Sequence, residues 1–262
     1  MAATLKVDLN CDLGESYGRY KLGKDAEMMP LITSANIACG FHAGDPMVMA
    51  HTISLARQHG VAIGAHPGYP DLQGFGRRSM GFSPEDIRQM VLYQLGALGA
   101  FAQTAGVYLE HVKPHGALYN AAAQDSAVAY AITDAVLDFD ETMILVGLAG
   151  SELNQAGESL GLAVANEGFP DRAYLPDGRL MPRTQPGAVI TDPKAVGENA
   201  LRLVREGINI DGNAVPVDTL CLHGDNPSAV DNARQVRQIL EDGGVEICPM
   251  RELITNNTRD LW

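Results

Sequence analysis

The chain predicts an α/β fold, a β/α barrel, on three observations. Short apolar segments alternate with helix-like segments along most of its length, which is the pattern of a parallel sheet with crossover helices. There are about seven such units, more than an open sheet usually takes. The chain is 262 residues long with 46% apolar residues, a length and core that one barrel domain spanning 1–262 accommodates. No Gly/Ser-rich linker or low-complexity tract divides it.

In order, the strand-like segments are Leu5–Asp12, Ser34–His42, Val61–His66, Val107–Lys113, Met143–Ala149, Leu162–Glu167 and Val217–His223, with a short eighth at Val245–Cys248. Asp45-Pro46, Ser83-Pro84, Asp192-Pro193 and Asn226-Pro227 each set a capping side chain before a proline, which marks helix starts. Gly60, Gly106, Gly207 and Gly243 follow helical runs as stop signals. Phe169–Gln185 has little periodicity and reads as a long loop over the strand ends, where loops carry function.

Side chains alternate between the two faces of a strand. In LKVDLNCD, Leu5, Val7, Leu9 and Cys11 form one face, and Lys6, Asp8, Asn10 and Asp12 the other. In SANIACGFH the bulky face is Ala35, Ile37, Cys39 and Phe41. Its opposite is small and polar: Ser34, Asn36, Ala38, Gly40 and His42. His66, His111, Lys113 and His223 end similar segments. One face packs under helices. The other points into the barrel and turns polar at the C-terminal end, where barrel enzymes keep their active sites. Four of the seven histidines (His42, His66, His115, His223) sit at such ends with a glycine one or two residues on. Asp45, Asp71 and Asp225 follow shortly. His51 and His59 lie in a helical segment and read as structural.

The net charge, 19 − 32 = −13, and the lack of any Lys/Arg cluster argue against nucleic acid and anionic lipid as partners. The first residues lack the basic and apolar regions of a signal peptide, and no long apolar run predicts a membrane span. Cys11, Cys39, Cys221 and Cys248 contain no C-x-x-C pair. They read as reduced, buried thiols of a cytoplasmic protein.

A barrel mouth rich in histidine and carboxylate suggests two chemistries. One is a divalent metal held by Asp12, His42 and His66. The other is acid–base work: Asp8 and Asp12 sharing a proton, His115 and His223 shuttling protons, and Lys113, Arg172 and Arg183 holding an anion. GRYKLGKD, Gly18 to Asp25, begins like a phosphate-binding loop. It fails at Asp25, where a hydroxyl residue should bind magnesium. No G-x-G-x-x-G or G-x-S-x-G element follows a strand.

The motifs DLNCDLGESYGRY, ITSANIACGFHAGDP, IGAHPGYPDLQGFGRR, VKPHGALYN, EGFPDRAY and LCLHGDN together resemble the LamB/YcsF family of lactam-utilisation proteins. The resemblance covers nearly the whole chain. It implies an irregular, seven-stranded β/α barrel of the glycoside hydrolase/deacetylase type. It also implies ATP-dependent opening of 5-oxo-L-proline to L-glutamate with Mg2+-bound ATP, alongside two further subunits. On that chemistry the expected catalytic residues are Asp8, Asn10, Asp12, His42, His115 and His223. Asn36, Lys113, Glu167, Arg172 and Asp225 are expected to bind substrate or nucleotide. The alternatives are a metal-dependent deacetylase or amidohydrolase acting alone, and a non-catalytic substrate-binding subunit.

Overall fold

Seven parallel strands close into a barrel in the computed structural model, which describes residues 4–223 and 228–254. They are β1 (Lys6–Leu13), β2 (Ser34–Ala38), β3 (Ala62–His66), β4 (His111–Val112), β5 (Ile144–Leu148), β6 (Ala163–Gly168) and β9 (Thr219–Leu222). Spatial order follows chain order, and β9 returns to pair with β1. Between them lie β7 (Ile208–Ile210) and β8 (Asn213–Val215), an antiparallel pair that the sequence pattern did not predict. The short eighth segment forms β10 (Glu246–Ile247). It pairs with Lys6 and Val7 of β1 and takes no place in the ring.

The helices are α1 (Asp25–Met28), α2 (Pro46–His59), α3 (Pro84–Thr104), α4 (Gly116–Ala122), α5 (Ser126–Phe139), α6 (Glu152–Ser159), α7 (Pro193–Glu206), α8 (Ala229–Asp242) and α9 (Met250–Leu253). Three of the expected starts form as read. Asp45 accepts from Met47 N–H and Val48 N–H. Ser83 forms a reciprocal capping box with Asp86, and Asp192 accepts from Ala195 N–H. Asn226-Pro227 lies outside the described residues. Gly60 ends α2 in the left-handed conformation. At α8 the left-handed residue is Gly244, one beyond the expected Gly243.

Strand parity sorts the interior. Val7, Leu9, Cys11 and Leu13 join the core beneath the helices. Asp8 and Asn10 point into the barrel, fully buried. At the bottom Met250 packs against Ile144, Val146, Ala163 and Ala165 and plugs the barrel. Above that plug the interior is polar. Asp8 accepts hydrogen bonds from the hydroxyls of Thr33 (2.7 Å), Ser34 (2.6 Å) and Thr219 (2.6 Å). Burial pushes its carboxyl up to about 6, against those hydroxyls.

Most strands are trimmed at their ends relative to the sequence pattern, and two of the cuts bear on the site. β2 stops at Ala38, and the chain turns back at Gly40, whose N–H donates to the Ala43 carbonyl at 2.8 Å. His42 therefore reaches the mouth from a loop, not from the strand face. β4 keeps only two residues. His111 on β4 lies across from Gly64 of β3, where a Cβ would sit 2.1 Å from the His111 Nε2. Only glycine lets that imidazole lie across the neighbouring strand.

All four cysteines are free and buried. Among the described residues no helix is long and apolar enough to cross a membrane.

Candidate active site

The site is built on a ladder of buried amides and charges. Asn10 Nδ2 donates to Glu167 (3.0 Å) and Thr219 (2.7 Å). Its Oδ1 accepts from Asn36 Nδ2 (2.8 Å) and Lys113 Nζ (3.2 Å). Asn36 also donates to Asp12 (2.9 Å) and accepts from His111 Nε2 (2.7 Å). These polar groups are largely buried, and each finds a protein partner. Asn10 and Asn36 are thereby committed to the framework.

Lys113 is the hub above this ladder. Its Nζ lies 2.7 Å from Glu167, 3.0 Å from Asp12 and 3.1 Å from the Cys221 thiol. Burial would lower its pKa, but the Asp12 and Glu167 carboxylates beside it hold it well above the ordinary lysine value. Glu167 is fully buried, and its second oxygen accepts from the Tyr119 hydroxyl at 2.7 Å. Asp12 is about a fifth exposed. Burial would raise its carboxyl, but His66 and Lys113 outweigh that and hold it well below the carboxylate range.

The expected proton-sharing between Asp8 and Asp12 does not occur. Asp8 is taken by three hydroxyls lower in the barrel, and Asp12 by Asn36, Lys113 and His66. They point the same way on β1 but sit four residues, ~13 Å, apart.

Beside this hub lies a histidine cluster. Glu15, His42, His66 and His115 bring their ligand atoms within 4.8 Å of one another, and all four are buried. Glu15 Oε1 is 3.3 Å from His42 Nε2, 3.3 Å from His115 Nδ1 and 3.9 Å from His66 Nε2. The rings of His42 and His115 stack at 3.7 Å. Gly76 makes room for both, since a Cβ there would fall 2.8 Å from each. Burial drives His42 down to about 3, so it is neutral. Burial would raise Glu15, but its hydrogen bonds to His115 and His42 outweigh that and bring it to about 2. Glu15 takes the place expected of Asp12 as the carboxylate nearest His42, and His115 is the added member. Asp12 remains next to the cluster, its Oδ2 3.3 Å from His66 Nε2.

These groups open into a cavity of about 490 Å³ lined by Asp12, His66, Lys113, His115, Arg172 and His223, among others. The loop over the strand ends forms its wall, pinned by bridges from Arg172 to Val189 and from Tyr174 to Leu180. Arg172 spends donors on the Ala188 (3.3 Å) and Met181 (2.6 Å) carbonyls. It supports that loop as well as facing the cavity. His223 donates from Nδ1 to Asp171 at 2.7 Å, and Arg183 reaches its Nε2 at 3.3 Å. Burial lowers the His223 pKa, but Asp171 outweighs it and the result is raised. Asp225 lies outside the described residues. Gly18–Asp25 runs from a Tyr17–Tyr20 bridge into the four-residue α1 and does not follow directly on a strand as a phosphate cradle would.

Sequence reasoning missed Glu15, His111, Tyr119, Asp171 and Thr219 as parts of this site. Glu15 sits three residues past Asp12, beyond the end of β1, where strand parity no longer says where a side chain points. His111 carried the right signal: it shares its strand face with Lys113.

A parallel barrel with an ionisable cluster at its C-terminal mouth defines a β/α-barrel protein equipped for acid–base or metal-assisted chemistry. The chain belongs to the LamB/YcsF family, whose model matches residues 7–255. It is 54% identical over 254 residues to a 5-oxoprolinase subunit of Pyrococcus abyssi, covering 95% of this chain and 100% of that one. The corresponding 5-oxoprolinase subunit of Syntrophobacter fumaroxidans is 56% identical over 250 residues, 94% of this chain and 99% of its own. Among solved structures, a lactam utilization protein from Thermus thermophilus superposes with a TM-score of 0.87 at 52% identity, covering 93% of this chain and 99% of that one. A peptidoglycan N-acetylglucosamine deacetylase superposes with a TM-score of 0.51 at 11% identity, over 96% of this chain and 89% of that one. That likeness shows the fold alone.

Proposed function

We propose that the chain is one subunit of an ATP-dependent 5-oxoprolinase. Working with two partner subunits, it hydrolyses 5-oxo-L-proline to L-glutamate, with release of ADP and phosphate from Mg2+-bound ATP. The observation that carries this is full-length identity of 54% to a relative named as a 5-oxoprolinase subunit, with no part of that relative left uncovered.

The cavity supports the chemistry. A five-membered lactam is a stable amide, and opening it requires an activated water, a stabilised oxyanion and a proton for the departing ring nitrogen. Asp12 faces the cavity beside His66 and receives the water's proton. His223, oriented by Asp171, donates from Nε2 to the ring nitrogen once Arg183 turns from it to the substrate carboxylate. Lys113 and Arg183 supply positive charge for the substrate carboxylate and the oxyanion. Phosphorylation of the amide oxygen at the expense of ATP activates the ring carbon: water adds there, the protonated ring nitrogen leaves to give an acyl phosphate, and a second water releases phosphate and L-glutamate. The four buried thiols fit a reducing, cytoplasmic setting.

Phosphate release from ATP is the test, with and without 5-oxoproline, by this chain alone and with its two partner subunits. Release that depends on the lactam and on the partners, with glutamate appearing in step, is the expected result. A complete mixture with no lactam-dependent release would overturn the substrate assignment.

A further inference from the structure

We propose that His66, His115 and Glu15 bind one divalent transition-metal ion, with His42 holding Glu15 from behind. Such a site would exist whether or not 5-oxoproline is the substrate. The tautomers point to it first. His66 Nδ1 lies 2.7 Å from the Lys113 carbonyl, and His115 Nε2 lies 2.8 Å from the Phe75 carbonyl. A carbonyl only accepts, so both of those nitrogens carry protons. To take a metal each ring sheds any second proton it holds in the free chain, which leaves a lone pair on its other nitrogen. Those two nitrogens, His66 Nε2 and His115 Nδ1, face each other at 2.9 Å. Two acceptors at that distance repel unless a cation joins them.

The same point collects more acceptors. Glu15 Oε1 is 3.3 Å from His115 Nδ1 and 3.9 Å from His66 Nε2, and Asp12 Oδ2 is 3.3 Å from His66 Nε2. One shared proton would satisfy a single pair of these atoms. A metal satisfies His66, His115 and Glu15 together, with Asp12 beside them. Ligands about 2.1 Å from an ion stand roughly 3.0 Å apart at right angles and 3.4 Å apart in a tetrahedron. The observed edges of 2.9, 3.3 and 3.9 Å bracket those values. Both rings are steered by backbone carbonyls, as metal-bound imidazoles commonly are. His66 and His115 line the cavity, so an ion has an entry path and keeps an open position for water or substrate.

His42 plays a different part. Its Nδ1 is buried with no hydrogen-bond partner among the described residues, so a proton there would be stranded. The proton sits on Nε2 and is donated to Glu15 at 3.3 Å. That makes His42 a positioning residue for the carboxylate. Two imidazoles and a carboxylate suit zinc, cobalt and neighbouring ions better than magnesium or calcium.

The test uses the untagged full chain, stripped with chelator and titrated calorimetrically with Zn2+ and with Co2+. One site per chain is expected, with visible Co2+ bands of low coordination number. His66→Ala and His115→Ala should each weaken binding at least about 100-fold, and His42→Phe only about 10-fold. Cys248→Ser should change nothing; it controls for a second, more exposed group, Glu246, Cys248 and Glu252. X-ray absorption on the loaded wild type needs no variant to fold and should show two imidazoles. Absence of saturable binding, binding that survives both histidine variants, loss on Cys248→Ser, or a spectrum without imidazole would each overturn the metal site. An equal loss in His42→Phe would overturn the three-ligand assignment.

Discussion

Replacing Lys113 with methionine removes the positive charge that holds two carboxylates inside the barrel while keeping most of the side chain's volume. Glu167 is 2.7 Å and Asp12 3.0 Å from its ammonium. At an effective dielectric of 20 each pair attracts by roughly 6 kcal/mol before desolvation is counted. Desolvation of the lysine cancels much of that, and breaking a buried pair from one side typically costs about 3–5 kcal/mol. The expected loss for Lys113→Met at pH 7.5 is therefore about 4 kcal/mol. For a chain of this length that is a fall in Tm of roughly 10 °C. Urea unfolding of both proteins at pH 7.5 and pH 5 is the assay. The deficit should shrink at pH 5, because a proton on a stranded carboxylate removes the uncompensated charge. Adding Glu167→Gln should recover part of it, and a double-mutant cycle reads the coupling directly. A variant that loses less than about 1 kcal/mol at pH 7.5, or whose deficit is the same at both pH values, would refute the view of Lys113 as the hub of the buried charges.

Three further outcomes are expected. Asp8 is pushed up to about 6 in the folded chain, above its unfolded value of 3.8. Its contribution to stability is thus full below pH 4 and is lost as pH rises through 6. Asp8→Asn removes that dependence, so the variant should gain about 1.4 kcal/mol on wild type between pH 5 and pH 7.5 in urea unfolding. A constant difference would show that Asp8 is ionised throughout. Gly64→Ala drives a methyl into His111 and should cost about 1–3 kcal/mol by thermal unfolding; unchanged Tm would mean that the imidazole moves aside freely. Asp171→Asn removes the charge that raises His223. If His223 donates to the leaving nitrogen, the basic limb of the kcat/KM profile for lactam-dependent phosphate release should move to lower pH. An unmoved limb assigns the proton to another group.

Much of the barrel was present in the sequence. Alternation placed Asp8, Asn10 and Asp12 on one face of β1 and the apolar residues on the other, and proline-marked caps placed α2, α3 and α7. Those signals are local: strand geometry fixes where the next side chain points, and a cap closes within one turn. They fail where the chain leaves regular structure. β2 ends at Ala38, so the route of His42 to the mouth depends on a turn closed by Gly40 and Ala43. The same limit hid Glu15, which lies just past β1, and Asp171, which lies on the loop wall.

Periodicity and composition by themselves determined that strands and helices alternate, which faces are buried, and that histidines and carboxylates gather at strand ends. Only the tertiary structure decided which of them meet. Closure of β9 onto β1 sets Thr219 against Asp8 and helps bring Glu167 to Asn10 and Lys113, partners that lie far apart along the chain. Pairing of neighbouring strands brings His66 and His115 to 2.9 Å, with Glu15 beside them. The pKa of each group follows from those meetings, because burial and the nearest charge set it. Neither quantity exists until the barrel has closed.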